Sequence, residues 1–336
     1  MSKYLLPVVY DWADWSSIYT NVALWRPVIE RIMARDETVA SVGVKWPPVD
    51  VVPGFPGTCA VFAVDKAAVF KIFPPMVARD FDRERSVYRL LHDHVPYRPV
   101  LLAHGILPDR IEWPYLVTSF IPGEAWRDVR NVVPRAQALA VMRELGRTVR
   151  GVHDTPLPEN GSWPSSRAWD HFIDLRLPRI GTDLRGQTSL PEPVIAEIER
   201  LVENTNWHTT LPCLVHADLT EDHLLLGNTG GRWAMAGLID WADAEVCDPL
   251  YDWVALWFSI CRRDAGLLVA FQEGYGGPNA FDAVPIERLA AFTFLHRFAA
   301  NIVSEILTPV EQRAILSLEL LLRRLYGGLP GYSTAT

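Results

Sequence analysis

The sequence predicts an α+β protein of two lobes: a smaller, mostly-β lobe with a leading helix over residues 1–121, and a larger, mostly-α lobe over residues 122–336. Length points to the division, since 336 residues exceed what one ordinary core organises. Pattern supplies the class. Between residues 51 and 121, short apolar runs are bounded by Gly, Pro and Asp, the signature of strands. Beyond Pro122-Gly123, apolar residues recur mostly every three or four positions, the signature of helices. One stretch of the second lobe departs from that rule. In residues 214–226 two apolar runs flank a polar knot of His216, Asp218 and His223, and residues 236–241 then deliver Asp240. Polar residues on a loop gripped by buried strands are rigidly placed, as chemistry requires.

Taken in order, residues 10–18 are aromatic and acidic without a clear period. From Thr20 the spacing of Val22, Trp25, Ile29, Ile32 and Met33 predicts a helix that Thr20 or Asn21 would cap. Pro47, Pro48, Pro53 and Pro56, with Gly54 among them, predict an extended loop. Two β-rich runs then surround a glycine turn at residues 54–58, and residues 67–73 read as a further strand carrying Lys71. A lysine inside an apolar strand either snorkels to water or has a partner. Residues 80–94 read as a helix with Phe81, Glu84, Tyr88 and Leu91 on one face. A buried Lys71 and a buried Glu84 on adjacent elements would explain each other as an ion pair.

Residues 100–105 and 115–121 complete the strands, and Pro122-Gly123 ends the sheet. A long helix is expected at 134–153, loops mixed with a helix near 169–177, and a helix at 193–203. Helical segments follow near 248–275, 285–306 and 309–326, and no internal repeat is visible.

Composition narrows the partners. With 49% apolar and 21% charged residues the chain is globular. No basic tract suggests nucleic acid. No run suits a membrane span: the apolar segment 314–322 is short, contains Glu319 and meets Arg323-Arg324. The N-terminus lacks an export pattern, so a cytoplasmic protein is expected, as a monomer or weak dimer. The four cysteines form no CxxC pair and read as reduced thiols. Residues 1–120 balance at 13 basic and 13 acidic side chains, so the net charge of −8 falls on residues 121–336. An acidic surface there would attract a cationic ligand, or merely maintain solubility.

A glycine turn, a strand lysine with a helix glutamate, a His-Asp-His loop and a strand-borne aspartate are the parts that phosphoryl transfer from a nucleoside triphosphate needs. The motifs are specific. His216-Ala217-Asp218-Leu219-Thr220-Glu221-Asp222-His223 is followed by Ile239-Asp240-Trp241 and by Asp248-Pro249-Leu250-Tyr251-Asp252. In this order the chain resembles the aminoglycoside phosphotransferases, small-molecule kinases with a bilobal protein-kinase-like fold. That resemblance implies a small, mostly antiparallel β N-lobe that binds nucleotide. It also implies a larger, mostly α C-lobe for catalysis and substrate.

The same resemblance assigns candidate roles. Asp218 is the catalytic aspartate and His216 braces its loop. Lys71 and Glu84 are the phosphate-binding pair. Gly54, Gly57 and Thr58 belong to the phosphate-covering turn, though without the full GxGxxG spacing. Ser119 and Ile121 lie at the hinge that meets the purine. Asp240 and His223 are metal ligands, and Asp248 and Asp252 hold the lobe together. ATP or GTP with Mg²⁺ is the implied cofactor set.

His223 stands where most of the family has Asn. Mg²⁺ prefers oxygen and imidazole suits transition metals, so the position admits Mg²⁺, Mn²⁺ or a pseudokinase that binds nucleotide without transferring it. A His there, with Ile239 to Ala244, is similar to the macrolide phosphotransferases. The Pro114 to Ser119 run, Gly123 with Trp126-Arg127, and Ala291 to His296 instead resemble the hygromycin B branch. The expected substrate is a small cationic antibiotic of hygromycin type, with a macrolide as the alternative. Trp163, Trp169, Trp253 and Trp257 could line its pocket or belong to the core.

Overall fold

The strand-rich part folds as a five-stranded sheet in the order β1-β2-β3-β5-β4, every neighbouring pair antiparallel. Its strands are β1 (Val51–Pro53), β2 (Ala60–Val64), β3 (Ala68–Ile72), β4 (Leu101–Pro108) and β5 (Glu112–Ser119). The computed structural model describes residues 4–36, 39, 44–54, 57–91, 95–158, 166–208, 212–276 and 284–329. The chain forms two compact units, one of Met1–Gly123 with Ala236–Asp243, the other of Glu124–Met235 with Ala244–Thr336.

In the first unit, helices α1 (Trp12–Ser16) and α2 (Val22–Arg35) contribute to one core with the sheet. Asn21 caps α2, accepting the Leu24 amide at 3.2 Å. Trp113 of β5 stacks on Trp15 and meets Trp25 edge-on at centroid distances of 6.0 and 5.9 Å. Such aromatic contacts add roughly 0.5–1.5 kcal/mol each beyond area burial. Phe70 and Ile72 are fully buried, and strand alternation turns Lys71 between them to the opposite face of β3. Helix α3 (Ala78–Leu90) carries Phe81, Glu84, Val87 and Tyr88 as its buried residues. The helix ends at Leu90 with Leu91 as its C-cap, and residues 92–94, to which the sequence predicts it to run, lie outside the described residues.

The second unit is mainly helical. Helix α4 (Arg135–His153) buries Met142, Leu145, Val149 and Val152. It crosses a later helix, Ala265–Tyr275, at glycines: a β-carbon on Gly146 would collide with the Phe271 carbonyl, and one on Gly274 with that of Arg143. The loop of interest hangs between β7 (Cys213–Val215) and β8 (Leu224–Thr229). Strand β7 pairs antiparallel with β10 (Glu245–Cys247), and β8 lies between β6 (Glu124–Ala125) and β9 (Arg232–Leu238). Trp169, Trp253 and Trp257 are 3, 5 and 1% exposed and belong to the core, while Trp163 lies outside the described residues.

Three helical stretches are more broken than the spacing predicts. The 248–275 segment contains a π-helical turn, Leu256–Ile260, followed by Arg262 and Arg263 at positive φ. The 285–306 segment stops at Leu295 and resumes at Ala299, with His296 extended between (φ −57°, ψ 142°). The 309–326 segment divides into Pro309–Arg313 and Leu318–Tyr326. An unpredicted helix, Ile180–Gln187, holds Gly181 against the Glu199 carboxylate, which would have to move to admit a β-carbon there. Its two glycines weaken the helical pattern in the sequence. All four cysteines are reduced and buried. Among the described residues no helix is long and apolar enough to cross a membrane.

Candidate active site

Lys71, Glu84 and Asp240 meet within the first unit. The Lys71 ammonium is 2.8 Å from Glu84 Oε2 and 2.8 Å from Asp240 Oδ1. Glu84 is 2% exposed, whereas the Asp240 side chain is 42% exposed. Burial opposes the lysine's charge, but the carboxylates of Asp240 and Glu84 outweigh it and hold the pKa well above the ordinary lysine value. Asp240 follows β9 with φ 63°, an uncommon conformation for a residue with a β-carbon. Its carboxylate is thus delivered to the lysine by a strained turn and not by a regular strand.

The remaining predicted residues of this unit are partly engaged by the fold. Gly54 donates its amide to Val61 O at 2.8 Å, and a β-carbon there would press on the Val61 side chain. Gly57 and Thr58 follow, and Thr58 O is held by the Trp15 indole at 2.9 Å; residues 55–56 between them lie outside the described residues. Ser119 is occupied by Val100: its amide donates to Val100 O at 2.8 Å and its hydroxyl accepts the Val100 amide at 2.9 Å. The Ser119 side chain therefore pins β4 to β5. Ile121 lies past the last strand bond and packs over Gly237, where a β-carbon would meet its Cδ1 at 2.5 Å.

The His-Asp-His loop is built within the second unit. Asp252, 1% exposed, accepts the His216 amide at 2.9 Å on Oδ2 and the Ala217 amide at 2.7 Å on Oδ1. His153 Nε2 lies 3.1 Å from the same carboxylate. Burial alone would raise the Asp252 pKa, but the His153 hydrogen bond and the loop contacts lower it. These bonds hold Ala217 at φ 63°, and that bend presents Asp218. His216 is 1% exposed, and its Nδ1 accepts the Asp218 amide at 3.3 Å. The fold thus engages His216 as a brace. Asp248 takes a separate task, bridging to Arg288 at 2.6 Å and accepting the Leu250 amide.

His223 completes the loop. Its Nδ1 is 2.8 Å from Asp218 O and 3.2 Å from Thr220 Oγ1. A carbonyl can only accept, so in the neutral ring Nδ1 carries the proton and Nε2 the lone pair. That is the arrangement of a metal-ligating imidazole, whose other nitrogen donates to a carbonyl or carboxylate. The donor chemistry of His223 Nε2 is compatible with a divalent cation, with nitrogen favouring Mn²⁺ over Mg²⁺.

A cavity of about 400 Å³ opens beside Asp218 and His223, walled by Phe258, Phe298, Asn301 and Glu305 among others. The sequence did not announce these residues, since the break at His296 that separates Phe298 and Asn301 from the preceding helix interrupts no obvious pattern. The loop's own acids are matched by arginines: Asp222 with Arg127 at 2.8 Å, and Glu221 with Arg130 at 2.7 Å and Arg262 at 2.6 Å. The negative charge expected of this lobe is therefore largely compensated where the cavity meets the loop. A larger groove of about 570 Å³ beside Arg200 and Glu287 contains none of the predicted site residues.

His296 lines the cavity, 1% exposed and stacked on Tyr251 at 4.6 Å. Burial depresses its pKa from the ordinary 6.5 to about 4. The unfolded chain then takes up a proton before the folded one, so this group's stabilisation is complete above pH 6.5 and is lost as pH falls toward 4. The loss is on the order of 3 kcal/mol. Urea denaturation at several pH values should show a shallower acid slope for His296→Asn than for the wild type; equal slopes would refute it.

A family model described as the phosphotransferase enzyme family matches residues 59–292, more than half the chain. The chain belongs to the phosphotransferase enzyme family. Solved structures agree on the fold. The GDP complex of wild-type aminoglycoside 2'-phosphotransferase-IIIa is 17% identical, with 89% of this chain and 99% of that one covered at a TM-score of 0.61. Aminoglycoside phosphotransferase APH(3'')-Id from Streptomyces rimosus is 19% identical, with 77% and 95% covered at 0.54. The chain thus has the bilobal, kinase-like α+β fold. Among curated proteins, lysine-specific demethylase JMJ21 from Arabidopsis thaliana is 22% identical over 221 residues, which are 54% of this chain. The match spans only 23% of that protein's length.

Proposed function

We propose that this protein moves the γ-phosphate of ATP or GTP to a hydroxyl of a small antibiotic. The observation that carries the reading is Lys71, its side chain 12% exposed yet held charged by Glu84 and Asp240, each at 2.8 Å. A fixed ammonium of this kind neutralises phosphate oxygens. Gly57 and Thr58 would cover the phosphates and the backbone at Ile121 would meet the purine. Asp218 accepts or orients the acceptor hydroxyl's proton, on a loop braced by His216 and Asp252. Asp240 and His223 are the residues that would hold a divalent cation, which when bound offsets phosphate charge. Catalysis on this account is positioning and electrostatics.

The acceptor has two candidate classes. An aminoglycoside of hygromycin type is supported by sequence runs in both lobes and by the net charge of −8. A macrolide is supported by His223 and by the arginine partners of Glu221 and Asp222, which leave less carboxylate for a polycation. Nucleotide consumption across both panels, with Mg²⁺ and Mn²⁺ supplied separately, decides between them. Tight nucleotide binding without turnover on any acceptor would favour a pseudokinase. His223→Asn should keep most activity and move the preference from Mn²⁺ toward Mg²⁺, because an amide oxygen replaces imidazole nitrogen. An unchanged metal profile would remove His223 from the ligand set.

A further inference from the structure

Glu221 sits between Asp218 and His223 in the loop, yet its side chain is 5% exposed. A buried carboxylate needs partners, and this one has several. Arg130 Nη1 bonds Oε2 at 2.7 Å, while Arg262 bonds Oε1 through Nη2 at 2.6 Å and Oε2 through Nε at 3.2 Å. The backbone is tied as well: the Glu221 amide donates to Ser259 Oγ at 3.0 Å, and Glu221 O accepts the Arg127 amide at 3.2 Å.

These contacts reach two distant segments. Arg127 and Arg130 lie on and just beyond the short helix Trp126–Val129. Ser259 belongs to the π-helical turn Leu256–Ile260, and Arg262 follows it at φ 49°. A hydrogen bond from the Trp126 indole to Ile260 O, at 2.9 Å, joins the two segments independently. A π turn and a left-handed arginine are both unfavourable locally and persist where the surroundings demand them. Here they aim a hydroxyl and a guanidinium at one residue of the loop.

We infer that Glu221 is a positioning residue for phosphoryl transfer, acting as the anchor that fixes the loop between Asp218 and His223. The inference rests on the proposed activity for its catalytic consequence, while the anchoring itself does not. Asp252 holds the loop at His216 and Ala217, and Glu221 holds it on the far side of Asp218. With both ends fixed, the Asp218 carboxylate and the His223 ring have one geometry. Released at Glu221, the loop loses the 2.8 Å bond from His223 Nδ1 to Asp218 O.

Two measurements on Glu221→Gln and Glu221→Ala test this. The first is the ring-nitrogen NMR spectrum of histidine-labelled full-length protein, which needs no acceptor. His216 and His223 should shift, whereas His104 of the first unit, whose Nε2 lies 2.7 Å from Arg89 Nη2, should not. Unchanged His216 and His223 signals would overturn the anchor, and a shift of His104 as well would show a general structural role instead. The second is kinetic: kcat should fall about 10- to 100-fold with the KM values for nucleotide and acceptor little changed. Arg262→Ala should reproduce the fall, and the double variant should be no worse than either single one. Additive losses, or a loss confined to KM, would contradict the role. If Asp218→Ala remains active, the proposed activity fails separately, and the histidine spectrum still decides the anchor.

Discussion

Asp218→Ala is expected to lower phosphoryl transfer about 10³-fold, with nucleotide binding left intact. The loop holds this carboxylate through bonds that do not depend on it. Asp252 takes the amides of His216 and Ala217, and Glu221 is clasped by Arg130 and Arg262. Removing the Asp218 side chain therefore removes the group that handles the acceptor's proton while leaving its surroundings in place. Nucleotide affinity by calorimetry and turnover by product assay separate the two effects. A variant with turnover near that of the wild type would show that another residue serves the hydroxyl.

Lys71→Ala carries the second large effect, and it acts on stability as well as on phosphate binding. Glu84 is 2% exposed and would be left beside Asp240 without its cation. Breaking a buried pair in this way costs roughly 3–5 kcal/mol, so the melting temperature should fall by several degrees and nucleotide binding should be lost. Lys71→Met combined with Glu84→Leu should recover stability without recovering nucleotide binding, because a well-packed apolar pair is often neutral in energy. The folded-state pKa of Lys71 lies above its ordinary 10.5, so the lysine's own contribution is complete below pH 10.5 and fades as pH climbs through the higher folded value, while burial raises the Glu84 pKa and sets the acid limit of the pair. A Lys71→Ala protein as stable as the wild type at neutral pH would refute the burial argument.

The parts of the site visible in the sequence are those in which a charge interrupts an apolar pattern. Lys71 within a strand and Glu84 within an inward helix stripe each look out of place alone and together make a pair, which the fold brings to 2.8 Å. Asp218 and Asp240 were legible because their motifs occur at family spacing. Less legible were residues that act through backbone contacts. Asp252 reads as a structural residue, and nothing in its motif says that it grips two amides of the loop. Glu221 reads as one more solvated acid in a polar run, since its arginines lie 91 and 41 positions away.

The helices were legible as elements and not as boundaries. Residues 285–306 are apolar on both sides of His296, so periodicity carries through a break that tertiary packing imposes. At Ser119, expected at the purine hinge, the sheet takes the amide and the hydroxyl, both bonded to Val100, which nothing in the motif announces.

The central claim is transfer of a phosphoryl group to a small hydroxylated molecule, and it is tested most directly by following the label of γ-labelled ATP or GTP. With wild-type protein and either an aminoglycoside or a macrolide panel, the label is predicted to appear covalently on an acceptor, and to be absent from it with Asp218→Ala. Label recovered only in nucleotide or inorganic phosphate across both panels, or equal labelling of the acceptor by the wild type and Asp218→Ala, would contradict the account.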